Sequence, residues 1–261
     1  MCLIHFKDGF IIASSLSHHI LTLTINRPHA KNALNLEMYQ QLTQYLHQAN
    51  DPNVHVIVLT GLSDVFCSGN DITDFISLTT ADADQCQHSR SIIEAFMFAM
   101  IDSPVPIVAA VSGNAIGIGM TMLQHCDFVF ACPSANFSLP FVKLGLCPEF
   151  GSSLLLPQII GTRKAKAMLL LGEPMNAQEA LSLGFIDQIT IQPEQLAATY
   201  AATLATQPKH ALQNTKQLLS QISRKQLIDC INKENNLIFK LVKEHEAVNA
   251  FSQFTTRKSH T

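Results

Sequence analysis

Residues 107–111 read IVAAV, a short uninterrupted apolar run of the kind that forms a buried strand. The run breaks into Ser112-Gly113 and then Gly117-Ile118-Gly119, where glycine permits tight turns and close approach of backbones. A helix-length segment at 120–126 follows, stopped by Asp127 and a second apolar run at 128–131. A strand that enters a glycine turn and then a helix aims unpaired amide N–H groups and the positive end of a helix dipole at one point. Such a point suits an anion or developing negative charge. The glycine spacing, G-x-x-x-G-x-G, is not the dinucleotide fingerprint, and no Gly-Lys-Ser/Thr of a Walker loop is present. Glycine packing alone is the competing explanation at this stage.

Around this segment the chain alternates strands with helices. Residues 10–16 and 20–25 (ILTLTI) predict a hairpin, 36–48 a helix capped by Asn35 with Leu36, Tyr39, Leu42, Tyr45 and Leu46 on one stripe, and 54–60 (VHVIVLT) a β-branched strand. Polar residues 78–89 read as a loose loop or frayed helix start, 90–102 as a helix, 136–139 as a short strand, and Phe150 and Arg163 as helix starts. From Gln192-Pro193-Glu194 onward the pattern is helical: 194–205, 209–221 and one long segment at 225–251. The expected class is α/β (α+β), with a β-rich body over 1–191 and a helical module over 192–261.

Composition bounds the function. The 261 residues are 47% hydrophobic and 14% charged with net charge −3, which gives ample core and argues against a nucleic-acid or membrane-surface binder. No run reaches the ~18–20 apolar residues needed to span a bilayer. Residues 1–15 lack a signal-peptide pattern, and residues 258–261 (KSHT) are not a Ser-Lys-Leu address. The seven scattered cysteines form no C-x-x-C pair and read as reduced thiols. A cytoplasmic protein without a metal is the expectation.

Glu149 is the only carboxylate between Asp127 and Glu173, and its neighbours are mostly apolar. A carboxyl desolvated there would have a raised pKa, which suits proton transfer. The competing reading is a surface glutamate in the first turn of a helix starting near Pro148. Taken alone, Ser68-Gly69-Asn70-Asp71 is an ordinary turn with Asp71 as a helix cap.

Residues 112–127 together with 66–72 (FCSGNDI) resemble the two signature blocks of the crotonase superfamily, the enoyl-CoA hydratase/isomerase family. Residues 26–34 (NRPHAKNAL) and 172–186 (GEPMNAQEALSLGFI) resemble its N-terminal and later blocks, and all four fall in the family's order. GNAIGIGMT followed by LGLCPEFGSS is most similar to the Δ3,Δ2-enoyl-CoA isomerases. The resemblance implies a spiral of ββα turns with a C-terminal helical trimerisation module, a homotrimer or dimer of trimers, and an acyl-CoA thioester substrate with no cofactor beyond its CoA.

Carried over by position, the resemblance implies an oxyanion hole formed by the backbone N–H groups of Asn70 and Ile118, with Glu149 as the acid/base. It implies substrate contacts from His29, Lys31, Ala33, Ser68, Gly69, Asp71, Ile72, Gly117, Thr121, Phe141 and Pro148. The two glutamates of the family's hydratases align with Thr121 and Phe141, neither of which is a carboxylate. The expected activity is isomerisation of 3-enoyl-CoA to 2-trans-enoyl-CoA in fatty acid β-oxidation. The alternatives are another crotonase activity, such as hydration or thioester hydrolysis, and a non-catalytic acyl-CoA binding subunit.

Overall fold

The computed structural model describes residues 11–61, 64–220 and 222–258. Residues 1–10, including Phe10 of the expected first strand, Gln221 of the expected helix 209–221, and residues 259–261, read as no Ser-Lys-Leu address, lie outside them.

In chain order, β1 (Ile12–Ser17) and β2 (Ile20–Ile25) pair antiparallel, with Ile12 opposite Ile25. Their two-residue turn places His18 and His19 at positive φ, as the right-handed twist of a tight hairpin requires. Helix α1 (Leu36–His47) begins where the Asn35 side chain accepts from the Met38 N–H, and it buries Met38, Tyr39, Leu42 and Leu46. There follow β3 (Val56–Gly61), β4 (Val65–Cys67), α2 (Ile72–Thr80), α3 (Ala83–Ile101), β5 (Ile107–Val111), β6 (Asn114–Ile116), α4 (Ile118–Thr121), β7 (Phe128–Ala131) and β8 (Asn136–Ser138). Next come α5 (Ser152–Ile159), α6 (Thr162–Leu171), β9 (Met175–Asn176), α7 (Ala177–Ser182) and β10 (Gln188–Ile189). The C-terminal helices are α8 (Pro193–Ala205), α9 (Lys209–Leu219), α10 (Arg224–Leu241) and α11 (His245–Lys258).

The strands form a six-stranded sheet of order β1-β2-β3-β5-β7-β10 and a four-stranded sheet of order β4-β6-β8-β9. From β2 to β10 the larger sheet is parallel. Each of β3, β5 and β7 is followed at once by a strand of the smaller sheet, so the chain winds from one sheet to the other and back through helix. This is the mixed α/β class expected from the strand pairs and helices, wound as the spiral that the resemblance implied.

The larger sheet is covered on both faces. Val56, Val58, Val108, Ala110 and Phe130 pack against Ala197, Ala201 and Ala205 of α8. The alternate residues Ile57, Leu59, Ile107, Ala109 and Val111 enter the main core with α1 and α3. That double burial is why IVAAV carries no polar alternation.

Several boundaries differ from the sequence expectation. The polar stretch 78–89 is largely helical: α2 runs to Thr80, and Asp82 with Gln85 forms a capping box that starts α3 at Ala83. Its first turns face solvent, so no apolar period marks them. The long segment 225–251 is two helices, because the chain turns after Leu241 and brings α11 back over α2, with Phe251 against Phe75 at 5.9 Å between ring centroids. Lys243 donates to the Ala81 carbonyl at 2.8 Å in the same turn. The two- and three-residue strands β4, β6, β9 and β10 were too short to carry a period.

Candidate active site

Two strand ends of the smaller sheet converge. Beyond β4 the chain turns through Ser68-Gly69-Asn70 with Gly69 at φ +103. Beyond β6 it turns at Gly117, whose φ 54 and ψ −123 belong to glycine territory. A Cβ on Gly117 would lie 3.8 Å from Gly69 Cα, and one on Gly69 would lie 3.2 Å from the Ile116 carbonyl oxygen. A Cβ on Gly119 would sit 2.4 Å from the Cys67 carbonyl oxygen. The two turns therefore stack backbone to backbone, tightly at Gly69 and so closely at Gly119 that a side chain there would force them apart.

The first turn is pinned by its surroundings. The Leu34 N–H donates to the Gly69 carbonyl at 2.9 Å, and the Asp71 N–H to the Leu34 carbonyl at 2.8 Å. Asp71 caps α2 by accepting from the Thr73 N–H, and its carboxylate pairs with Arg27 at 2.5 Å. Burial pushes the Asp71 carboxyl upward, but the Arg27 and Thr73 hydrogen bonds outweigh it and hold the group below its ordinary range. Ser68 bonds residues 30 and 31: its N–H reaches the Lys31 carbonyl at 3.2 Å and its hydroxyl the Ala30 carbonyl at 3.4 Å. His29 and Lys31 are exposed on that loop, whereas Ala33 is buried and its carbonyl accepts from Arg27 at 3.1 Å. Ile72 opens α2, half-buried against the core.

The second turn feeds α4 at Ile118, two residues earlier than the sequence suggested, and both Met120 and Thr121 N–H groups fold back onto the Gly117 carbonyl. Among the described residues, the amides of Asn70 and Ile118 donate to no backbone carbonyl. Phe141 lies over this turn, its ring 4.0 Å from where a Gly117 Cβ would be. Thr121 is fully buried and its hydroxyl has no partner among the described residues.

Glu149 is brought to the same place. It is only 4% exposed, with half-buried Pro148 before it, and its Oε2 accepts from the Asn70 side-chain Nδ2 at 3.4 Å. Its Oε1 has no partner among the described residues. Desolvation pushes the carboxyl up from 4.5 to about 8; the Asn70 bond pulls the other way, and the Glu234 charge adds to the rise. The alternative of a surface glutamate in a first helical turn is thereby excluded.

The next two residues account for this placement. Phe150 and Gly151 both adopt left-handed backbone, at φ 56 and 75, so the helix expected from Phe150 begins only at Ser152. Three groups hold that turn. Buried Glu234 of α10 accepts from the Gly151 N–H at 2.6 Å, the Ser153 N–H at 2.9 Å and the Ser153 hydroxyl at 2.5 Å. The Ser152 hydroxyl donates to the Glu149 carbonyl. His125 stacks on Phe150 at 4.0 Å between centroids, with its Nε2 at 2.9 Å from the Phe150 carbonyl.

Sequence reasoning assigned Asn70 a backbone role and missed its side chain, which also meets the Tyr39 hydroxyl. Tyr39 stood in the sequence only as one residue of an apolar stripe. A tyrosine at a core position carries a hydroxyl that needs a partner, and that was the available signal. Glu234, set in a long helical pattern, gave none.

Residues 15–260 match the family described as enoyl-CoA hydratase/isomerase. The chain belongs to that family. The rat enoyl-CoA delta isomerase 2 is 34% identical over 243 residues, covering 92% of this chain and 62% of the relative, so the chain spans less than two thirds of that protein. The 1,2-epoxyphenylacetyl-CoA isomerase of Escherichia coli K12 is 36% identical over 217 residues, 80% of this chain and 81% of the relative. Among solved structures of the family, the enoyl-CoA hydratase/isomerase of Pseudoalteromonas atlantica T6c superposes with a TM-score of 0.87 at 32% identity, covering 95% of this chain and 98% of that one. Among the described residues of this family member, no helix is long and apolar enough to cross a membrane, and no three His, Cys, Asp or Glu group as metal ligands.

Proposed function

We propose that the chain is a Δ3,Δ2-enoyl-CoA isomerase that moves a 3-enoyl-CoA double bond to the 2-trans position. The observation that carries the reading is Glu149, a buried carboxyl beside the two stacked glycine turns. The Glu149 carboxylate takes a proton from C2 of the thioester, the electrons delocalise into a dienolate, and the same carboxyl returns the proton at C4. One acid above a planar dienolate reaches both carbons. The negative charge developing on the thioester oxygen is received by the amides of Asn70 and Ile118, donors of a kind worth roughly 3–4 kcal/mol each to such a step. A pKa near 8 suits a group that must both accept and release a proton near neutral pH. His29 and Lys31, exposed on the loop tied to Ser68, are the groups we assign to the CoA portion, and the assembly we expect is a homotrimer or dimer of trimers.

Hydration needs a positioned water and a second acid, and Thr121 and Phe141 supply no carboxylate where the family's hydratases carry one. The test is to incubate the protein with 3-enoyl-CoA and with 2-enoyl-CoA and to follow both conjugation and 3-hydroxyacyl-CoA. Conjugated 2-trans-enoyl-CoA as the main product supports the isomerase. A dominant hydroxy product overturns it, and binding without turnover makes the chain an acyl-CoA binding subunit.

A further inference from the structure

We propose that the Tyr39 hydroxyl is a positioning group: it fixes which end of the Asn70 side-chain amide faces Glu149 and so favours the carboxylate needed for proton abstraction. The proposal rests on the isomerase reading for its kinetic consequence, but its structural claim stands on the side chains themselves.

Tyr39, on the inner face of α1, is 1% exposed. A buried phenol has one proton to donate, and here it donates to Asn70 Oδ1. A primary amide has one accepting and one donating end. With Oδ1 engaged by Tyr39, Nδ2 is left pointing at Glu149 Oε2, 3.4 Å away. A donor in that position stabilises the ionised carboxyl. The reversed amide would present Oδ1 to Glu149, which rewards the protonated acid, and would set Nδ2 against the Tyr39 hydroxyl. Tyr39 selects between the two.

The surroundings give this selection weight. The ionisable groups that face Glu149 are Tyr39 on α1, Cys67 on β4, Cys147 before the Glu149 turn and Glu234 on α10, while Asp74 on α2 faces Tyr39. None of them carries positive charge. Burial and Glu234 both favour the neutral acid, and among the described residues the Asn70 bond is the one influence on Glu149 that opposes them. Burial, then the Glu149 charge, keep the Tyr39 phenol well above 10.0, so it stays a donor throughout the working range. The ring is held independently, edge-on to Phe96 at 5.3 Å between centroids, so Tyr39→Phe removes the hydroxyl and leaves the packing.

The test labels glutamate side-chain carboxyls with carbon-13 and follows the Glu149 resonance, assigned by its loss in Glu149→Gln, through a pH titration of the substrate-free protein. In Tyr39→Phe the Glu149 pKa is expected to rise by about half to one pH unit, with the acid limb of kcat/KM for 3-enoyl-CoA moving the same way. Near neutral pH this reads as a roughly three- to tenfold loss that disappears above the limb. Incorporation of 3-fluorotyrosine at position 39 keeps the ring and strengthens the donor, so it moves the same pKa down; it serves equally if Tyr39→Phe does not fold. A Glu149 titration that moves with neither substitution, or a rate loss equal at every pH, overturns the proposal and leaves Tyr39 a packing residue. A wild-type protein inactive on 3-enoyl-CoA overturns the isomerase reading alone, because the titration of the free protein still decides the role of Tyr39.

Discussion

Replacing Glu149 by glutamine should stabilise the protein at alkaline pH and leave its stability at mildly acid pH nearly unchanged. Glutamine is an uncharged isostere of the protonated acid. The carboxyl titrates at its ordinary 4.5 in the unfolded chain and at about 8 in the fold. Below the lower value both states hold the proton, and the substitution changes little. Through the window from 4.5 to 8 the fold retains a proton that the unfolded chain has released, so wild-type stability declines as pH rises and levels off above the folded pKa. At about 1.4 kcal/mol per pH unit that interval corresponds to roughly 4–5 kcal/mol, an upper figure that local relaxation and water entry reduce to a few kcal/mol. For a chain of this size the glutamine variant should melt about 5–10 °C above wild type near pH 9, and the gap should close toward pH 5. Thermal melts of both proteins across that range, taken as differences, cancel every other titrating group. A gap that is constant with pH would show that Glu149 ionises freely in the folded protein, and the argument for a buried acid/base would fail with it.

Other outcomes follow from the same geometry. On 3-enoyl-CoA, kcat/KM should rise with pH through about 8, because the base must be ionised; a steady-state profile flat from about pH 6 to 9 would contradict this. Gly119→Ala places a methyl 2.4 Å from the Cys67 carbonyl oxygen and must push the two turns apart. A loss on the order of 10²-fold in kcat/KM is expected with the Glu149 titration preserved, and a wild-type rate would refute the stacking argument. Glu234→Gln removes a charge that adds to the burial-driven rise of the Glu149 pKa and weakens the three bonds at the start of α5. The carbon-13 titration should report a lower Glu149 pKa and urea unfolding a loss of about 1–3 kcal/mol, and unchanged stability would remove Glu234 from the support of that turn.

What the sequence disclosed depended on length and periodicity. The β2, β3, β5 and β7 strands showed as apolar runs because each is covered on both faces or alternates cleanly, and α1 showed through Asn35 and its stripe. Strands of two or three residues have no period to display, and the start of α3 was hidden because its cap is a reciprocal bond between Asp82 and Gln85 on an exposed face. At the site, the glycine turns and the isolated Glu149 were legible as residue types with chemical needs. The Asn70 amide orientation was not, since it depends on Tyr39 from α1 meeting a turn 31 residues away. The left-handed Phe150 was equally hidden: a non-glycine residue holds that conformation where Glu234 bonds the Gly151 and Ser153 amides that follow it and His125 meets its own carbonyl and ring, both from elsewhere in the chain.

The bond from Gly151 to Glu234 spans 83 residues. During synthesis the strands and the glycine turns leave the ribosome well before α10 does, so the segment bearing Glu149 waits for a late arrival before its strained backbone is secured. Reactivity is thus among the last properties the nascent polypeptide acquires, and a translation product that stops short of α10 would carry every residue of the site without the clasp that orders them.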